Sequence, residues 1–293
     1  MNRLLSRRTC LLAALSSTAS MLGCPSSRDP GTSHRRSAQR VVSLTPNTTE
    51  TVFALDAGHR LVGRSRHCDY PIQATSIPTV GGYVDPSLET ILGLRPDLVV
   101  GARGPIGRSM VDKLEARGTE CFFPPTESVS EIFAMIQGLA ERLDTKSEGA
   151  RLLQSIQDRL RHIKELVANK PSPRTLLVFG QTPISVAGPE SFPSEMLALA
   201  GCTNAVDSGT RYPILGIETL IVLDPDLIID ATMAGSANTE PIGPGRAGWA
   251  SIRAVREGHV VRLDNDTILR PGPRLAEGVA LLAHHTHDGL QLP

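Results

Sequence analysis

Short apolar runs alternate with amphipathic stretches from Arg40 onward. Arg40-Val-Val-Ser-Leu44 is a β-type run, and Thr45-Pro46-Asn47 makes a turn. Asn47 with Glu50 three residues on is a capping arrangement, predicting a helix through about Gly58. Leu61-Val62-Gly63 predicts a second strand. Beyond a loop holding Cys68-Asp-Tyr-Pro71, the pattern predicts helices over 107–117 and 128–143 flanking a strand over 120–123. Leu152, Leu153, Ile156, Leu160, Ile163, Leu166 and Val167 then recur at three- and four-residue spacing among charged residues. They predict a helix over 145–168, on the order of 35 Å long at ~1.5 Å per residue, ending before Lys170-Pro171-Ser172-Pro173. Strands over 175–179, 184–187, 227–230 and 259–263 follow, interleaved with helices over 194–200, 249–255 and 273–288. Strands alternating with helices at this spacing imply parallel sheets covered by helices.

One sentence occurs twice. Residues 87–100 read Ser-Leu-Glu-Thr-Ile-Leu-Gly-Leu-Arg-Pro-Asp-Leu-Val-Val, and residues 216–229 read Gly-Ile-Glu-Thr-Leu-Ile-Val-Leu-Asp-Pro-Asp-Leu-Ile-Ile. Each is a short helix, a Pro-Asp break and an apolar strand. The repetition predicts an α/β protein of two Rossmann-like lobes on one plan, and the single long helix between them reads as a rigid strut. Each lobe presents a glutamate, Glu89 and Glu218, in the same local setting.

The first 23 residues read as a targeting segment. Arg3, Arg7 and Arg8 precede an apolar stretch from Cys10 to Gly23, too short to span a bilayer as a helix. Ser6-Arg7-Arg8-Thr9-Cys10-Leu11-Leu12 resembles a twin-arginine export signal, with ordinary secretion as the alternative. Met21-Leu22-Gly23-Cys24 resembles a lipoprotein processing box that lipidates Cys24, and the polar run after it reads as a tether. The organisation is therefore a signal peptide (1–23), a lipidated tether (24–38), an N-terminal lobe (39–143), the interlobe helix (144–170) and a C-terminal lobe (171–293). Residues 1–23 hold three arginines and no acid, so the remainder carries 27 basic against 30 acidic side chains. A net −3 argues against nucleic-acid binding, which wants a basic face.

Signatures of catalysis are missing. Gly243-Pro-Gly245-Arg-Ala-Gly248 matches a dinucleotide fingerprint by letter, but no strand runs into its first glycine, so it reads as a loop. The chain has no GxSxG, HExxH, phosphate loop or CxxC. Cys68, Cys121 and Cys202 match no zinc spacing, and His284, His285 and His287 read as a solvated helix end rather than a metal site.

Arg40-Val-Val-Ser-Leu-Thr-Pro-Asn-Thr-Thr-Glu50, Val62-Gly63, Cys68-Asp-Tyr-Pro71, Val80-Gly81-Gly82, both Glu-Thr…Pro-Asp repeats and Arg270-Pro-Gly-Pro-Arg274 together resemble the cobalamin and ferric-siderophore substrate-binding proteins of ABC importers. The resemblance covers the chain from Arg40 onward. It implies two α/β lobes joined by one helix, a ligand held between them with little lobe motion, and delivery to a membrane permease dimer. It also implies a location in the periplasm or at the cell surface, no enzymatic activity, and no cofactor beyond the transported ligand. Its ligand contacts fall on Asn47, His67, Tyr83, Arg103, Gln181, Tyr212, Asp266 and Arg270, and its permease-docking glutamates on Glu89 and Glu218. Cobalamin-binding members carry tryptophans where this chain has Tyr83, Ala102 and Tyr212, and a tyrosine where it has His67. The resemblance favours cobalamin or a related corrinoid. A ferric siderophore is an alternative, for which Arg64, Arg66, Arg103, Arg211 and Arg270 are available. Haem is another, with His67 or a tyrosine as axial ligand. From a different class, an extracytoplasmic enzyme on the same scaffold remains an alternative.

Overall fold

The apolar runs become strands buried on both faces. In the computed structural model, which describes residues 37–104, 107–232, 240–264, 266–287 and 290, β1 (Val41–Ser43) lies between β2 (Leu61–Arg64) and β3 (Leu98–Val100), with β4 (Glu120–Phe122) outside β3. All four are parallel. Successive side chains point to opposite faces. Val41, Leu98 and Val100 therefore join Val52 of α1 (Pro46–Ala54) and Ile132, Met135, Ile136 and Leu139 of α4 (Val129–Arg142). Val42 and Val99 instead meet Ile91 of α2 (Leu88–Gly93) and Leu114 of α3 (Arg108–Glu115).

α5 (Lys146–Val167) falls within a residue of the expected bounds at each end. Its stripe of Ile156, Leu160, Ile163 and Val167 is buried, each side chain contributing ~1.5–3 kcal/mol relative to exposure. The stripe packs on α4 and on α9 (Leu275–Thr286). The helix is thus fastened to both lobes along its length, and one core cluster runs continuously through it.

The second sheet centres on β5 (Arg174–Gln181). β8 (Leu227–Asp230) and β9 (Val260–Arg262) extend it in parallel, and β7 (Thr203–Asn204) pairs with its start. Leu177 and Ile229 face α9 and α6 (Phe192–Leu199). Leu176, Val178 and Ile228 face Leu220 of α7 (Ile217–Leu223) and Trp249. β6 (Ile184–Val186) departs from the parallel plan and runs antiparallel to β5. Only Thr182 and Pro183 separate the two strands, enough for a hairpin but not for a crossover.

The repeated sentence has a structural cause. Each short helix ends beside a left-handed residue, Arg95 at φ 47° and Asp224 at φ 40°. The aspartate after the proline then binds the entry to the neighbouring strand. Asp97 accepts from the Gln39 and Arg40 amides at 2.8 and 2.9 Å, and Asp226 accepts from the Arg174 amide at 2.9 Å. Arg40 and Arg174 answer by donating to the helix-terminal carbonyls of Leu94 (2.7 Å) and Leu223 (3.1 Å). The motif is a staple joining helix end to strand start. Asp97→Ala is expected to lower stability by about 1 kcal/mol in urea denaturation, since two charge-assisted bonds are lost at an exposed site.

Three local expectations are corrected. Asn47 does not cap α1, because Pro46 already occupies the first turn and Thr45 is the N-cap residue; α1 also stops at Ala54, short of Gly58. The segment after Gly248 is broken at the extended Ile252 into a 3₁₀ turn (Trp249–Ser251) and α8 (Arg253–Arg256). His287 is buried, with Nε2 2.9 Å from the Ala200 carbonyl, because the end of α9 tucks against the end of α6. Cys68, Cys121 and Cys202 are free thiols, and burial is the first cause raising each. Among the described residues no helix is long and apolar enough to cross a membrane. Cys24 and the export segment lie outside the described residues.

Candidate functional site

The strand ends of both sheets deliver loops to the space between the lobes, where parallel α/β sheets place ligands. Tyr83 and Glu127 come from the N-terminal lobe, and Tyr212 and Phe179 from the C-terminal lobe. The Tyr212 hydroxyl donates to Glu127 Oε2 at 2.6 Å, spanning the two lobes. The Phe179 ring lies 6.2 Å from the Tyr212 ring, tilted by 59°. Burial, and then the Glu127 carboxylate, push the Tyr212 phenol above the ordinary tyrosine range. The same two causes, in the same order, raise Tyr83. The Glu127 charge acts on both tyrosines but is hydrogen-bonded to Tyr212 alone. Sequence reasoning singled out the two tyrosines but not Glu127 or Phe179, which no local motif marks.

Four other expected contacts are engaged within the protein. Arg270 is buried, and its guanidinium bonds Glu50 (2.8 Å), Asp69 (2.7 Å) and Asp266. Arg274 bonds both Glu50 oxygens at 2.8 Å and lies over the Tyr70 ring at 4.0 Å. Burial lowers both guanidinium pKa values, but the carboxylates outweigh it and both end raised. Asn47 donates to the Pro271 carbonyl at 3.1 Å. Gly272 permits that approach, since a Cβ there would stand 3.3 Å from Asn47 Cβ. Arg270-Pro-Gly-Pro-Arg274, which follows the last strand of the C-terminal lobe, is thus clasped onto α1 of the N-terminal lobe, a second interlobe tie beside α5. Gln181 is buried at the end of β5 and donates to Asp230 Oδ2 at 2.8 Å, while its own oxygen has no partner among the described residues.

His67 and Arg103 are exposed. Glu89 and Glu218 are exposed too, in the first turns of α2 and α7, one on each lobe. Apolar side chains stand open close by: Val84 at 72% and Ile214 at 67% follow the two cleft tyrosines, and Val222 at 84% lies on α7 itself. A separate groove of about 480 Å³ between α4, α5 and α6 is lined by Phe133, Leu160 and Leu199 among others, and none of the expected ligand contacts borders it. Among the described residues no three His, Cys, Asp or Glu side chains gather as a metal site would require.

The family model described as periplasmic binding protein matches residues 41–267, spanning both sheets and the helix between them. The chain belongs to the periplasmic binding protein family. This binding protein is 27% identical over 249 residues to the vitamin B12-binding protein of Vibrio parahaemolyticus, covering 84% of this chain and 89% of that one. It is 28% identical over 256 residues to an uncharacterized ABC transporter substrate-binding lipoprotein of Bacillus subtilis, covering 85% and 80% of the two chains. Among solved structures it resembles a periplasmic heme-binding protein in complex with two hemes at 30% identity and a TM-score of 0.74, covering 85% and 97%. The relatives are binding proteins rather than enzymes, and they share the two-lobed α/β fold.

Proposed function

We propose that this protein is the substrate-binding component of an ABC importer, capturing cobalamin or a related corrinoid between its lobes and delivering it to a permease dimer. The hydrogen bond from Tyr212 to Glu127 across the cleft, with the Phe179 ring beside Tyr212, carries the reading. Aromatic walls from two lobes suit a broad, flat macrocycle, and their hydroxyls and the carboxylate suit its amide rim. His67 and Arg103, both exposed, complete the proposed contacts. Asn47, Gln181, Asp266 and Arg270 act in this reading chiefly by holding the cleft's frame. Cys24 is proposed to anchor the protein to the membrane by lipid, and Glu89 and Glu218 to dock on the permease.

Haem is the second reading. The likeness to a heme-binding structure favours it, and His67 or a cleft tyrosine would supply the axial ligand. Calorimetric titration with cyanocobalamin, haemin and a panel of ferric siderophores separates the readings. One-to-one binding of cyanocobalamin is expected. Tyr83→Ala and Tyr212→Ala should each weaken it by about tenfold or more, the cost of removing an aromatic wall. Binding of haemin alone would move the ligand and keep the class. Silence with every compound would reopen an enzyme reading.

A further inference from the structure

The carboxylate of Glu127 stands at the proposed cleft among arginines that are mostly bonded within the protein. Of the five arginines considered for an anionic ligand, Arg66 and Arg270 are neutralised by carboxylates, and Arg64 and Arg211 bond backbone carbonyls. Arg64 donates to the Ser65 and Thr75 carbonyls inside its lobe. Arg66 pairs with Asp85 at 2.7 Å. Arg211 donates through Nε to the Glu190 carbonyl at 2.8 Å and keeps its charge near Tyr212, whose phenol it opposes Glu127 in shifting. Arg270 is surrounded by Glu50, Asp69 and Asp266. Arg103 is exposed and makes no hydrogen bond or ion pair with another described residue.

The start of α4, where a helix would favour an anion, is also occupied. The Glu127 amide donates to Glu131 (2.8 Å), the Val129 amide to Glu195 from the other lobe (2.7 Å), and the Glu131 amide to the Ser128 hydroxyl (3.2 Å). Glu127 projects its own carboxylate onto Tyr212 across the cleft. A ligand that displaces the Tyr212 hydroxyl meets this carboxylate, which must be offered a donor or left next to the ligand's own charge.

We infer that Glu127 sets the charge of ligand this cleft accepts, selecting neutral or cationic macrocycles over anionic ones of the same shape. The inference rests on the interlobe cleft being the ligand site. It adds a specificity residue and disfavours ferric complexes bearing several negative charges. A carboxylate-bearing ligand edge against Glu127 gains a like-charge contact in a partly desolvated site. That contact reduces affinity by about tenfold per close pair.

Two matched pairs test it: cyanocobalamin against its monocarboxylic acid, in which one peripheral amide of the corrin is hydrolysed to a carboxylate, and haemin against its dimethyl ester. Dissociation constants are measured for the wild type, Glu127→Gln and Glu127→Asp. The wild type should prefer the less anionic member of whichever pair it binds. Glu127→Gln, which keeps the shape and the bond to Tyr212, should reduce that preference by about tenfold. Glu127→Asp should retain it, as a purely structural role would not require. Ultraviolet titration should show the Tyr212 phenol ionising at lower pH in Glu127→Gln. An unchanged preference in Glu127→Gln overturns the inference alone. Binding of neither pair overturns the ligand reading and the inference with it.

Discussion

Glu50→Ala should destabilise the protein by about 3–5 kcal/mol, the cost of removing one partner from a buried ion pair. The Glu50 side chain is 1% exposed and faces two guanidinium groups, those of Arg270 and Arg274, at 9% and 14% exposure. Removing the carboxylate leaves Arg274 with the Thr267 hydroxyl and the Tyr70 ring. Arg270 keeps Asp69 and Asp266, both more solvated than Glu50. Two desolvated positive charges then face each other without the anion that separated them. The penalty falls on the interlobe clasp, because Glu50 stands on α1 and its partners follow the last strand of the other lobe. Urea unfolding of Glu50→Ala, Arg274→Ala and the double variant measures the effect. A cycle with strong coupling between the two sites is expected, since they share one contact. A loss below about 1 kcal/mol in Glu50→Ala would mean that both arginines relax into water and that α5 alone sets the lobe geometry.

The same network marks where the sequence stopped being legible. The strands of both sheets were readable because parallel strands covered on two faces are nearly continuous apolar runs, as Leu98–Val100 and Leu227–Asp230 are. The long helix was readable because its buried stripe repeats over three to four residues and prolines follow it. Glu50 was read as part of a local cap because a helix start and a glutamate three residues later look alike whether the carboxylate turns to its own backbone or to a distant arginine. Its partners lie 220 and 224 residues away, and nothing in the local pattern encodes that distance. Glu127 was missed for the same reason, since its cleft role depends on Tyr212, 85 residues on. Tyr83 and Tyr212 were singled out by the family resemblance, with their corresponding places before the two repeated glutamates as support, a signal that needs no knowledge of which side chains meet. The fold was written locally, while the charges of the site were written in the packing of one lobe against the other.

Uptake should be abolished by Glu89→Ala together with Glu218→Ala, with ligand affinity unchanged. The two carboxylates are exposed on different lobes, and neither makes a hydrogen bond or ion pair with another described residue. Each sits in the first turn of a short helix, whose dipole stabilises it by only ~0.3–1 kcal/mol, so losing it should scarcely affect folding. The open apolar residues Val84, Ile214 and Val222 in neighbouring segments supply what a charge alone lacks, area to bury against a partner. Two like charges on two similar lobes would suit two equivalent basic pockets of the proposed permease dimer. Each charge steers encounter, and once buried against a cation costs about 2–5 kcal/mol to truncate. Engaging one side raises the effective concentration of the other, so the double variant should lose more transport than either single variant. Transport of radiolabelled cobalamin into vesicles holding the permease, measured beside calorimetry on the same variants, reads both quantities. Glutamate placed at the facing permease position should rescue Glu89→Arg in part, because it restores the pair with its polarity reversed. Loss of ligand affinity in the double variant would place these residues in the cleft's support instead, and the docking role would fall.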